Sequence, residues 1–142
     1  MYKNIIIPVD LSEESSWKYL LPVALSFVSA FKSKLHFVNI IPDLGISIIE
    51  DYLPHHWVSN QKEQNTQKLD DLIERYIPIE IKVTTHIGRG SVYDEVINYA
   101  NSVQAELIIA SAIGEDRQEY TLGHNAAKLV KFSKASVLVV RE

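Results

Sequence analysis

The chain has 142 residues, 46% of them hydrophobic and 23% charged, and carries a net charge of -4 at pH 7. A chain of this length buries roughly two thirds of its unfolded surface, so residues 1–142 read as one globular domain and not as a disordered or collagenous one. The acidic balance argues against a nucleic-acid partner, which needs clustered Lys and Arg, and the lack of cysteine excludes a disulfide framework, a thiolate nucleophile and a Cys-based zinc site.

The first apolar run, Ile5 to Val9, is β-branched without polar alternation, as in a strand covered on both faces. It is too short for a signal sequence or a membrane span, so a cytoplasmic location and no membrane partner are expected. Asp10-Leu11-Ser12-Glu13-Glu14 supplies a polar cap and acids for a helix whose apolar residues run from Trp17 through Leu20, Leu21 and Ala24 to Phe31. Pro22 falls inside this helix, where its missing donor predicts a kink or irregular turn.

Leu35 to Ile41 is a second strand, stopped by Pro42. Asp43 to Asn60 reads as an irregular excursion, and Gln61 to Tyr76 as a largely solvated helix ended before Pro78. Ile79 to Ile87 alternates apolar and polar as an edge strand does, followed by a turn at Gly88-Arg89-Gly90 and a helix that Ser91 can cap. Leu107 to Ser111 is a fourth, buried strand, Gly123 to Phe132 a last helix and Val137 to Val140 a last strand. Strands alternating with helices predict an α/β fold: an open, twisted, parallel five-stranded sheet in three layers, with helices on both faces.

In such a sheet the ligand crevice lies beyond the strand carboxyl ends, where the strand order reverses. Pro8-Val9-Asp10, Asn39-Ile40-Ile41, Gly88 to Ser91, and the stretch Ala110 to Asn125 reach that edge. Ser111 and Gly114 follow the fourth strand, and Gly123-His124-Asn125 opens a helix. Small residues let backbone amides approach an anion, and a helix start adds unpaired N–H groups, so a phosphate fits here; a glycine that only breaks a loop explains Gly123 equally well.

Three stretches resemble the universal stress protein family. They are Lys3 to Ser12 with its Asp10-Leu11-Ser12 turn, Leu107 to Ser111 taken with Leu122-Gly123-His124-Asn125-Ala126-Ala127, and the ending Ser136 to Arg141. The resemblance implies the adenine nucleotide α-hydrolase-like fold with strand order 3-2-1-4-5. Nucleotide-binding members carry Gly, two residues, Gly, nine residues, then Gly with Ser or Thr. Here Ser111 stands at the first glycine, eight residues separate Gly114 from Gly123, and His124 replaces the hydroxyl residue, which is more similar to the bacterial F- and G-type subgroup.

By position, the resemblance puts Asp10 against the adenosine, the backbone of Ile40 at the adenine edge and Gly88 near the ribose, with Pro8, Val9, Asn39 and Ala110 among the further cofactor-binding residues. It puts Ser111, Gly114, Gly123, His124 and Asn125 around the phosphates. It implies ATP, or AMP or ADP, as ligand, with Mg²⁺ as companion; Ser136 to Arg141, read as an edge strand whose outer backbone groups must be covered, predicts a homodimer paired through that stretch. Arg117, between Asp116 and Glu119, is either a further phosphate contact or a solvated side chain.

Other constellations carry less. His55-His56 beside Trp57 do not share a helix face and lack further ligands, Asp70-Asp71 and Glu74 fit a solvated helix, and His36 fits a packed position better than a base. No Gly-x-Ser-x-Gly elbow and no full Walker sequence occurs, so no nucleophile with a positioned base is identified and no catalytic or metal-binding residue is assigned. The reading is a nucleotide-binding regulatory module of the stress response; a nucleotide-free dimeric interaction protein and a slow ATPase are the alternatives.

Overall fold

The computed structural model describes residues 1–42, 57–112 and 124–142; the expectations placed on Gly114, Arg117, Gly123 and the His55-His56 pair lie outside them. Its strands are β1 (Asn4–Pro8), β2 (Lys34–Pro42), β3 (Val83–Gly90), β4 (Leu107–Ser111) and β5 (Ser136–Val140). They form one sheet in the order β3-β2-β1-β4-β5, every pairing parallel, as expected. The helices are α1 (Ser15–Lys18), α2 (Leu20–Phe31), α3 (Trp57–Tyr76), α4 (Val92–Ser102) and α5 (His124–Phe132).

Alternation along β1 explains the three layers. Ile5 and Ile7 join Phe37 in a cluster closed by Leu20, Leu21 and Ala24 of α2 and Leu69 and Leu72 of α3. Ile6 points the other way, to Val38 and Ile108, under Val96 and Ala100 of α4 and Leu129 of α5. A strand with helices on both faces has no wet side, which is why the run carries no polar residue. Burying each such side chain stabilises the fold by about 1.5–3 kcal/mol.

The expected kink or irregular turn does not fall at Pro22, which lies within α2. The helix breaks instead at Tyr19, between α1 and α2, and this puts Pro22 in the first turn of α2, where its nitrogen would have no intrahelical acceptor in any case. α2 ends where Lys32 enters the left-handed region at φ 56°, its N–H bonded to the Val28 carbonyl at 2.8 Å.

α3 begins at Trp57, four positions before Gln61, so the end of the expected irregular stretch is helical. β3 is displaced the other way along the chain. Ile81 N–H donates to the Pro78 carbonyl at 3.1 Å, and this turn withdraws Ile79 and Glu80 from the sheet. At its far end β2 runs through Pro42, and the pairs Ile40–Gly88, Ile41–Arg89 and Pro42–Gly90 carry β3 across the expected turn. The chain leaves the strand at Gly90, whose φ of 132° suits glycine, and Ser91 then occupies the cap position of α4 with no side-chain capping bond.

His36 is packed, as anticipated. It is 3% exposed in β2, its Nε2 lies 3.0 Å from Asn4 Oδ1, and its Nδ1 meets Thr84 Oγ1. Since a carboxamide oxygen only accepts, Nε2 carries the proton and Nδ1 receives the threonine hydroxyl, so the neutral ring is satisfied on both sides.

Candidate functional site

The sheet order reverses between β1 and β4, because β2 and β3 extend from one side of β1 and β4 and β5 from the other. Val9 and Asp10, after β1, and Ala110 and Ser111, at the end of β4, therefore lie at the same carboxyl edge, where an open α/β sheet has its crevice. Ala110 is buried and Ser111 half-buried; across the same edge α5 starts with His124 and Asn125, both exposed.

The β1 end is held by short-range bonds. Asp10 Oδ1 accepts from Ser12 N–H at 3.0 Å and from Ser12 Oγ at 2.6 Å, the geometry of an Asx turn. Asp10 N–H donates to Ser16 Oγ at 3.1 Å while that hydroxyl donates to the Asp10 carbonyl at 3.0 Å, so the first residues of α1 clamp the turn. Asp10 is exposed, and both of these bonds fall on Oδ1 of its carboxylate.

The β2 end offers backbone. Leu35 N–H donates to the carbonyl of Lys82, the residue before β3, so Leu35, Phe37, Asn39 and Ile41 bond towards β3 and the residues between them bond towards β1. The last rung between β1 and β2 is Val9 N–H to the Val38 carbonyl at 2.8 Å. The N–H and C=O of Ile40, two residues on, thus point past the end of that ladder, into the crevice. Asn39, 5% exposed, sends its side chain to the opposite sheet face from Ile40, where its Nδ2 donates to the Val9 carbonyl at 2.8 Å and its Oδ1 accepts from Asn65 Nδ2 at 3.1 Å.

Gly88 is explained by packing. A Cβ there would stand 2.8 Å from Ile40 Cδ1 and 3.3 Å from His86 Nε2, with Glu95 Oε2 at 3.7 Å. On that side of the strand the space is taken by Ile40.

Sequence reasoning missed the group beside it. His86 stacks on Tyr99 of α4 with ring centroids 4.3 Å apart and planes 9° from parallel. Burial pushes its pKa below the ordinary histidine value, with Glu95 opposing and Lys62 adding to the depression. No spacing rule joins His86, Glu95, Tyr99 and Lys62, which come from three elements. Asn65 was likewise invisible among the polar residues of α3.

No three His, Asp or Glu side chains among the described residues converge as metal ligands. No described helix is long and apolar enough to cross a membrane.

The sequence pattern of the universal stress protein family matches residues 1–141. The chain belongs to this family. Universal stress protein G of Escherichia coli O157:H7 is 24% identical over 144 residues, which cover 99% of this chain and all of that protein. Among solved structures, the universal stress protein UspA from Lactobacillus plantarum superposes with a TM-score of 0.80 at 17% identity, over 99% of this chain and 98% of that one. A universal stress protein in complex with cAMP superposes with a TM-score of 0.65 at 18% identity, over 99% and 97% of the two chains. At these identities the structural likeness establishes the fold, and it agrees with the family assignment from the sequence.

Proposed function

We propose that this universal stress protein is an adenine-nucleotide-binding regulatory module that works as a homodimer in the cytoplasm during the stress response. The observation that supports the reading is the pair of backbone groups on Ile40, which have no partner among the described residues and are aimed past the last β1–β2 rung next to the Asp10 turn. An adenine edge presents one donor beside acceptors, and a strand N–H and C=O directed the same way are complementary to it. The cAMP-bound relative supports a nucleotide of this class.

In this arrangement Asp10 Oδ2 accepts from the adenosine side, with the Pro8-Val9 strand end as wall and Gly88 below. Ser111, Gly114, Gly123, His124 and Asn125 surround the phosphates, the helix start of α5 adding favourable N–H dipoles. Mg²⁺, when present, is carried by the phosphates, since no protein ligand cluster awaits it among the described residues. Without a positioned base, hydrolysis is slow or absent, and occupancy of the site is the signal.

The dimer reading rests on β5. Ser136 N–H donates to the Glu106 carbonyl and Ala112 N–H to the Val140 carbonyl, so Ser136, Leu138 and Val140 face β4 and the backbone groups of Val137 and Val139 face outward. An antiparallel pairing with a second copy closes that edge.

Ser111 at the first glycine position favours the second reading, a nucleotide-free interaction protein. Thermal unfolding with ATP and Mg²⁺ separates the two. A ligand that binds only the folded state adds about 2.7 kcal/mol at a hundredfold excess over its dissociation constant, so Tm rises in the first case and is unmoved by ATP, ADP, AMP and cAMP in the second.

A further inference from the structure

At the opposite end of the strands an open groove of about 1060 Å³ lies between the last turns of α3 and the start of β3. Half-buried Ile73, Ile81 and Val83 line it beside the buried Ile77, and Tyr76 and Ile79 form its rim. Ile79 is 99% exposed, held out by the Pro78–Ile81 turn. An isoleucine presented in this way to water adds nothing to the core it was expected to join as strand.

β3 is also an outer strand of the sheet. With Leu35 N–H on the Lys82 carbonyl and Leu35 in register with Val83, the ladder turns Thr84 and His86 towards β2 and the N–H and C=O of Val83 and Thr85 away from it. An edge strand with outward donors and acceptors beside an apolar groove and a helix is the arrangement that accepts an added strand.

Charge identifies what would bind. Asp70 and Glu74 stand one helical turn apart on the groove wall, and neither makes an ion pair among the described residues. Like charges at this spacing repel, and a cation from outside relieves them. Arg75, the cation of the groove, lies over the Tyr76 ring at 5.5 Å. A nucleic acid or an anionic membrane would meet these carboxylates and the negative net charge of the chain unfavourably.

We propose that this groove docks an extended segment of a partner protein, hydrogen-bonded along Val83 to Thr85, with alternate apolar side chains over Ile73 and Ile81 and Lys or Arg facing Asp70 and Glu74. The inference is independent of the nucleotide reading. α3 has 20 residues and spans about 30 Å, so the groove and the carboxyl-edge crevice are at opposite ends of the helix.

The test is a random hexapeptide library selected on the immobilised full-length protein, followed by calorimetry with a synthetic peptide of the selected consensus. The expected consensus alternates apolar and basic residues. The double substitution Asp70→Lys with Glu74→Lys weakens binding by about tenfold or more. Thr85→Pro, which removes an outward N–H and leaves the β2 ladder intact, abolishes it, while Thr85→Val retains it. Unchanged Tm in the charge variant shows that folding is not the cause. A consensus without basic residues, no enrichment, or binding indifferent to both the proline and the charge reversal overturns the proposal. So does conversion of a dimer to monomer by Thr85→Pro, since a second copy would then cover this edge.

Discussion

The side-chain amide of Asn39 donates to the carbonyl of Val9 at 2.8 Å, tying the end of β2 to the residue that enters the Asp10 turn. Asn65 of α3 completes the relay by donating to Asn39 Oδ1 at 3.1 Å, so one buried carboxamide joins a helix, a strand and the loop of the candidate site. Asn39→Leu keeps the volume and strands both partners. The expected loss is about 1–3 kcal/mol of unfolding free energy in urea, with Asn65→Ala costing less because its side chain is less buried. A neutral Asn39→Leu would show that water satisfies the Val9 carbonyl just as well.

Two histidines set a pH dependence. Burial, aided by the charge of Lys34, holds His36 below the ordinary histidine pKa, and burial does the same to His86. The unfolded chain titrates near 6.5, so below that pH it binds protons that the folded chain does not, and stability rises with pH through this window. Both contributions are fully present above about pH 7 and are lost as pH falls through the folded values. Urea unfolding between pH 5 and 7.5 should show this slope, and His36→Gln, which can still donate to Asn4 and accept from Thr84, should reduce it. An identical slope in wild type and variant would remove His36 as a source.

The β1 run was legible because doubly covered strands need uninterrupted apolar residues, whereas the sheet order came from the family resemblance. The bounds of β3 were not, because Ile79 to Val83 has the same alternation whether paired or turned out by Pro78, and only the reach of β2 to Pro42 draws Gly88 to Gly90 into the sheet. Pro22 misled for a related reason: a proline marks a helix start as well as a kink, and the break at Tyr19 carries no residue signal. At the candidate site, Val9, Asp10, Ile40 and Ser111 were expected from the strand ends, and the structure places them at the carboxyl edge of the sheet. Asn65 and Tyr99 were not, since their roles depend on which helix covers which strand.

The β5 edge yields a test of assembly. Val137 and Val139 direct backbone groups outward, and Val130 of α5, on the layer that packs over Val137, is 52% exposed. Val139→Asp puts a charge into the centre of the pairing without touching the β4 ladder, which uses Leu138 and Val140. Light scattering should give a dimer for the wild type and a monomer for the variant, with Val130→Glu weakening the dimer in the same direction. A dimer of unchanged mass in both would move the interface elsewhere.

Gly88 separates packing from ligand binding. An alanine Cβ would lie 2.8 Å from Ile40 Cδ1, and Ile40 cannot retreat easily because its backbone is in register with Gly88 and its side chain is 8% exposed. Gly88→Ala should therefore cost about 1–3 kcal/mol through overpacking. Ile40→Val removes the clashing methyl and alone costs about 0.5–1.5 kcal/mol. Combined, the two should be less destabilising than their sum by about 1 kcal/mol, a coupling that a double-mutant cycle in urea reads directly. His86 Nε2, at 3.3 Å from the same Cβ position, keeps the rescue incomplete. The same four proteins then report on the nucleotide: if the glycine is needed only for Ile40, the double variant recovers the ATP-dependent rise in Tm along with its stability. If the backbone at position 88 must also admit a ribose, stability returns and the ATP response does not.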